Sequence, residues 1–149
     1  MYHNLKDGGF QEVGLKAGPS FQEVRPSRGL ATGDVNNDEH LDLLVANLDE
    51  NPSLLLDQSR SGNWILLKLK GRKSNRSAIG ARAIVKTGAL VQIREVKSGG
   101  SYQSQSDLRL HFGLGTHQRI DELKIRWTDG HFQVLKDVSA NQVLTVEED

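Results

Sequence analysis

No cysteine occurs among the 149 residues, which excludes disulfide staples and cysteine-held zinc and says little about compartment. Aromatic residues make up 5% and hydrophobic residues 36%, lean for a core yet above the level of a disordered chain. No run of about 18 apolar residues exists, so no membrane-spanning helix is expected. The opening residues MYHNLKDGGF lack the basic segment followed by an apolar one that marks a signal peptide. Neither sign of charge dominates. Lys+Arg and Asp+Glu each number 19, and the balance points to neither nucleic acid nor membrane as a partner.

Helical periodicity is also nearly absent, and what replaces it is a series of short β-rich runs separated by turn residues. Such runs occur at 10–13, 41–48, 53–58, 64–71, 81–88, 90–99, 108–115, 121–128, 132–138 and 142–148. Several alternate cleanly: Leu123, Ile125 and Trp127 fall on one face, Glu122, Lys124 and Arg126 on the other. One face of such a strand is core and the other solvated. Asp129-Gly130 is a strong hairpin signal and Gly88-Ala89 a weaker one, because these residues tolerate the positive φ of a tight turn. The chain is therefore expected to be all-β. From Trp64 onward it reads as an antiparallel β-sandwich or barrel. The first third is richer in Gly, Asn and Asp, and the polar stretch Gln58 to Asn63 separates the two. This divides the chain into 1–60 and 61–149, within the size of one domain or a small domain with an appendage.

Oxygen-bearing side chains recur in DVNNDEHLD at Asp34, Asn36, Asp38 and Asp42. A tight loop with such groups every second residue suits a hard cation; Ca²⁺ takes 6–8 oxygen ligands in irregular geometry. An Asx-rich turn held by its own hydrogen bonds uses the same residues. Charge is unevenly spread. Seven acids and no Lys or Arg lie between Asp34 and Asp57, whereas ten basic residues and a single acid, Glu95, lie between Arg60 and Lys97. In the basic half, Lys73, Asn75 and Arg76 form a candidate anion or glycan site, or simply a solvated loop. Aromatic residues are not interleaved there, so no nucleic-acid platform is expected. The segment SGGSYQSQSD offers Ser101, Tyr102, Gln103 and Gln105 as a candidate recognition loop, unless its polar groups serve the backbone. Catalytic residues are not evident. The five histidines show no H-x-x-x-H spacing, there is no G-x-S-x-G elbow, and no enzyme is expected.

MYHNLKDGGFQEV followed by RGLATGDVNNDEHLDLLVAN resembles FG-GAP/VCBS-type propeller repeats, in which a Gly-rich strand leads into a D-x-D-x-D-G-x-x-D loop and an apolar strand. From Trp64 onward, KSNRSAIGARAIV, REVKSGGSYQSQSDLRLHFGLG and ELKIRWTDGHFQVL resemble the ASPIC/UnbV domain, the C-terminal module of cartilage acidic protein and its bacterial relatives. The resemblance implies a partial β-propeller blade followed by an all-β domain, secreted, with structural Ca²⁺ held by Asp34, Asn36, Asp38, the His40 backbone carbonyl and Asp42. Two departures weaken that site: Asn36 replaces a carboxylate, and Glu39 stands where such loops carry Gly, at a cost of about 1–2 kcal/mol if φ is positive. A propeller needs about 4–8 blades, so the chain is expected to be the C-terminal part of a longer protein. Its open blade edges must then be satisfied by water, a neighbouring chain or the second domain, and an intermolecular strand contact or swap is expected. The implied partners are a protein or a glycan, as yet unspecified. A carbohydrate-active enzyme with its catalytic residues upstream and a purely structural cap are the competing classes.

Overall fold

The computed structural model describes residues 1–5, 7–59 and 62–149; of the separating stretch Gln58 to Asn63, Arg60 and Ser61 lie outside the described residues. The chain is all-β, as its alternating runs require. Strands β1 (Tyr2–Asn4) and β2 (Phe10–Glu12) pair as an exposed antiparallel ribbon, and short 3₁₀ turns follow at Gly14–Lys16 and Pro19–Gln22. Next, β3 (Ser27–Gly33), β4 (Asp42–Asn47) and β5 (Ser53–Leu55) form a three-stranded antiparallel sheet. No helix is long and apolar enough to cross a membrane among the described residues.

The remaining seven strands are β6 (Asn63–Lys70), β7 (Arg82–Thr87), β8 (Leu90–Glu95), β9 (Leu110–Gly115), β10 (Arg119–Arg126), β11 (Phe132–Ser139) and β12 (Gln142–Glu147). They make two sheets, in the orders β11-β10-β7-β8 and β12-β6-β9. Both expected hairpins form: Gly88-Ala89 joins the paired Thr87 and Leu90, and the Gly130 N–H donates to the Trp127 carbonyl at 3.0 Å. Alternation decides what lies between the sheets. Ile65, Leu67, Leu69, Leu110, Phe112 and Leu114 of one sheet meet Ala83, Val85, Leu123 and Ile125 of the other in one buried cluster, as expected for a sandwich.

Besides β1, which no expected run covers, two features depart from the expected strands. The sandwich is not wholly antiparallel, because β12 pairs parallel with β6, from Gln142 opposite Ile65 to Glu147 opposite Lys70. The chain leaves β11 through Ala140-Asn141 and crosses to the other sheet, where the Asn141 side chain accepts from the Trp64 N–H at 3.1 Å. Nor did β-propensity indicate β3, whose sequence SRGLATG holds two glycines and few strand formers; only the propeller resemblance placed a strand there. Its partners on both edges make it a strand.

Among the described residues, all of the core cluster lies at or beyond Ile65, so none of it comes from β3–β4–β5. Phe112→Ala should therefore destabilise the fold by about 3–5 kcal/mol. Replacing Ile93, 64% exposed on the outer face, by Ala should stay within about 0.5 kcal/mol. Urea unfolding measures both, and equal effects would contradict the assignment of the two faces.

Candidate functional site

The acidic loop curls between β3 and β4 with Asn37 at φ 58° and Glu39 at φ 78°. Glu39 thus occupies the left-handed conformation that the absence of glycine makes costly. Asp34 accepts the Asp38 N–H at 3.0 Å on one oxygen and the Glu39 N–H at 3.1 Å on the other. Asp38 accepts the His40 N–H at 3.0 Å and the Asn36 amide at 2.7 Å; these bonds, the Asn36 one foremost, hold its carboxyl below the usual range. Asp42, only 1% exposed, ties the loop to the segment after β5 by accepting from the Val35 N–H at 2.9 Å and the Asp57 N–H at 3.0 Å. The His40 ring lies 3.7 Å from Asp57.

The donor chemistry suits a hard cation, since each carboxylate oxygen keeps a lone pair beyond its N–H partner. The loop's carboxylates do not, however, converge to within 4.8 Å as a trio; among the described residues only Asp129, His131 and Glu148 do. Binding at Asp34, Asn36, Asp38, the His40 carbonyl and Asp42 therefore requires these side chains to turn further inward. The sandwich already supplies counter-charge. Asp34 acts on the Arg109 guanidinium, whose main partner is Asp107, and the His111 ring faces the Glu39 backbone. Burial, ahead of every other cause, pushes His111 below its ordinary value, and the ring stacks on Trp64 with centroids 6.4 Å apart.

The candidate recognition loop turns out to face inward along part of its length. The Ser101 hydroxyl accepts the Leu30 N–H and the Ser106 hydroxyl accepts the Thr32 N–H, both at 3.1 Å, and the Asp107 N–H donates to the Thr32 carbonyl at 2.8 Å. Side chains of one loop thus serve alternate backbone groups along the free edge of β3, as a neighbouring strand would. The fit is close at Gly29, where a Cβ would lie 2.5 Å from the Ser104 hydroxyl and 2.7 Å from the Tyr102 carbonyl. Gln105 braces the loop by accepting from Gly99 at 2.7 Å and donating to Ser106 at 2.5 Å. Tyr102, 65% exposed, and Gln103, at φ 47°, remain at the surface.

The basic loop after β6 is likewise built around an internal partner. Three successive N–H groups, of Arg72, Lys73 and Ser74, converge on one oxygen of Glu148 at 2.7–2.8 Å, and the Ser74 hydroxyl donates to the other at 2.7 Å. A run of backbone N–H groups of this kind is an anion nest, and here a carboxylate from the end of the chain fills it. Asn75 is occupied by Ile79, accepting its N–H at 2.9 Å and donating to its carbonyl at 2.8 Å. Of the three candidates, Lys73 and Arg76 keep exposed basic side chains for an external anion, as does neighbouring Arg72. Glu148 had not been singled out from the sequence, although a signal was present: it continues the inward parity of Leu144 and Val146, where a carboxylate demands partners.

An all-β sandwich with parallel β12–β6 pairing, clasped to a small edge-exposed sheet, defines the class of the domain. Residues 71–149 match the family described as ASPIC and UnbV; this is over half of the chain, which belongs to that family. No curated protein matches the chain.

Ser101→Ala and Ser106→Ala should each lower stability by about 1 kcal/mol in urea unfolding, while Gln103→Ala should leave it unchanged; no effect from either serine would contradict the clasp. Glu148 yields a pH dependence. Burial opposes its ionisation, but the bonds from Ser74, Arg72 and Lys73 outweigh that, and its value falls from 4.5 to about 2. The unfolded chain then binds the proton more readily, so this stabilisation is complete above about pH 4.5 and is lost as pH falls towards 2. Glu148→Gln should flatten the acid limb of a melting-temperature profile in that window, and an unchanged limb would contradict the assignment.

Proposed function

We propose that the chain is a non-enzymatic, extracellular interaction module in which an ASPIC/UnbV sandwich is clasped to a propeller-type repeat carrying a structural Ca²⁺ loop. The observation that carries this reading is the β3–β4–β5 sheet, which is apolar on both faces. Leu30, Leu43, Val45 and Leu55 share one face, and Ala31, Leu44 and Leu54 the other. Leu30, Leu44 and Leu54 are 41–49% exposed. A solvated sheet hides one face and shows a polar one, whereas a propeller blade meets a neighbour on each side.

In this reading Ca²⁺ offsets repulsion among Asp34, Asp38 and Asp42 and fixes the turn that Glu39 strains. Protein or glycan partners would meet Tyr102 and Gln103 at the loop tip. They would also meet the groove beside it, lined by Thr32, Arg94, Lys97, Ser106 and Arg109. A second reading, a structural cap for the blade, is favoured by the serine clasp itself, because that contact uses the loop's polar groups on the chain's own β3. An enzyme fragment gains no support from these loops, whose carboxylates and amides hold backbone N–H groups.

Calorimetric titration with Ca²⁺ tests the proposal. The intact chain should bind one ion with a dissociation constant of about 10⁻⁴–10⁻³ M, and Asp38→Ala should abolish the signal. Absence of heat in both proteins would remove the calcium half of the reading.

A further inference from the structure

We infer that Asp129, His131 and Glu148 form a binding site for a divalent transition-metal ion of the zinc type, with Asp149 orienting the imidazole. One ligand atom from each of the three lies within 4.8 Å of the others. Zinc–ligand bonds of about 2.0–2.2 Å in a tetrahedral shell place donors about 3.3–3.6 Å apart, so the set closes when the more distant donors move inward and His131 Nδ1 and Asp129 Oδ1, 2.6 Å apart, part to admit the ion. The histidine already has the disposition of a metal ligand. Its Nδ1 lies 2.6 Å from Asp129 Oδ1, and its Nε2 lies 3.0 Å from Asp149 Oδ1. With the metal between Nδ1 and Asp129, the Nε2–H donates to Asp149, the carboxylate–histidine–metal arrangement that fixes tautomer and ring orientation.

The scaffold holds these groups in place. Asp129 and His131 flank Gly130, which takes φ 98° in the β10–β11 turn. The imidazole stacks on Trp127 with ring centroids 6.2 Å apart, and Trp127, 1% exposed, is anchored by its own N–H to Gln133 at 2.9 Å. Glu148 is fully buried and fixed by its donors, yet its Oε1 accepts only the Ser74 hydroxyl and retains a lone pair for an ion.

Charge favours a cation. Three carboxylates (Asp129, Glu148 and Asp149) surround one imidazole, and the Glu148 charge acts against ionised Asp129. A nitrogen among the donors distinguishes this site from the all-oxygen loop at Asp34–Asp42 and favours zinc over calcium. The spacing Asp129-Gly130-His131, with Glu148 a strand away, escapes any search for paired histidines on a helix. A bound ion would join the β10–β11 turn to the end of β12 and, through Glu148, to the loop at Arg72–Ser74. This inference stands apart from the Ca²⁺ reading.

The test is Zn²⁺ titration of the metal-stripped full chain, followed by calorimetry and by ¹⁵N resonances of the histidine rings, with Co²⁺ as an optical probe. One Zn²⁺ per chain should bind and shift His131 Nδ1. His131→Gln should abolish binding, and Asp149→Asn should weaken it about 10- to 100-fold. Asp38→Ala should leave it unchanged, which separates this site from the calcium loop. The Asp149 side chain is 66% exposed, so that variant keeps the fold. No binding at millimolar Zn²⁺, a shift at another histidine, binding that survives His131→Gln, or loss on Asp38→Ala would each overturn the inference.

Discussion

Three hydrogen bonds along one edge of β3 hold the two parts of this chain in register. Leu30 and Thr32 donate to the hydroxyls of Ser101 and Ser106, and Asp107 donates back to Thr32. The constraint behind them is general: an exposed strand edge presents backbone groups that need partners, and an unprotected one invites another chain. Here the partner comes from some 70 residues along the same chain, so the second domain covers this edge. The expected strand contact between copies is unnecessary on the β3 side. It is the apolar faces of the small sheet, and the outer edge of β5, that still look for neighbours.

The same economy recurs in the basic loop, which closes on Glu148. Lys73, Asn75 and Arg76 suggested an external anion, but the backbone N–H groups of Arg72, Lys73 and Ser74 already hold an internal one. Burial would protonate an isolated carboxylate; three N–H groups and a hydroxyl reverse that and make the charge a structural member. The side chains of Lys73 and Arg76 are left as surface charges, and Lys73 gives the nest only its backbone N–H. Polar residues in this domain thus serve mainly to join one segment of chain to another, which is why the proposed recognition role narrows to Tyr102, Gln103 and the groove beside them.

Much of the sandwich was legible in advance because period-two alternation is local: Leu123, Ile125 and Trp127 announce a buried face regardless of what covers it. The Asp129-Gly130 and Gly88-Ala89 turns were legible for the same reason. β3 was not legible from propensity, since its glycines give no strand signal and one of them, Gly29, is needed for close approach to Ser104 and Tyr102. The clasp and the Glu148 nest join residues 71 to 76 positions apart. No periodicity links such pairs, and each looked like an ordinary polar loop. The parallel β12–β6 pair was hidden likewise, because parallel pairing depends on a crossover rather than on either strand's own pattern. The acidic loop reads from its residues first as a Ca²⁺ loop and second as an Asx-rich turn; it forms the turn's own hydrogen bonds, with Glu39 at the costly positive φ. Its carboxylates serve the backbone whether or not an ion joins them.

The account rests on the clasp at β3, and amide hydrogen exchange at Leu30 and Thr32 tests it most directly. Both amides face away from β4, so nothing within the small sheet protects them. The clasp predicts slowed exchange at both, falling together when Ser106 is replaced by Ala. Exchange at the unprotected rate in the intact chain, with Ala31 on the β4 side still slow, would contradict it.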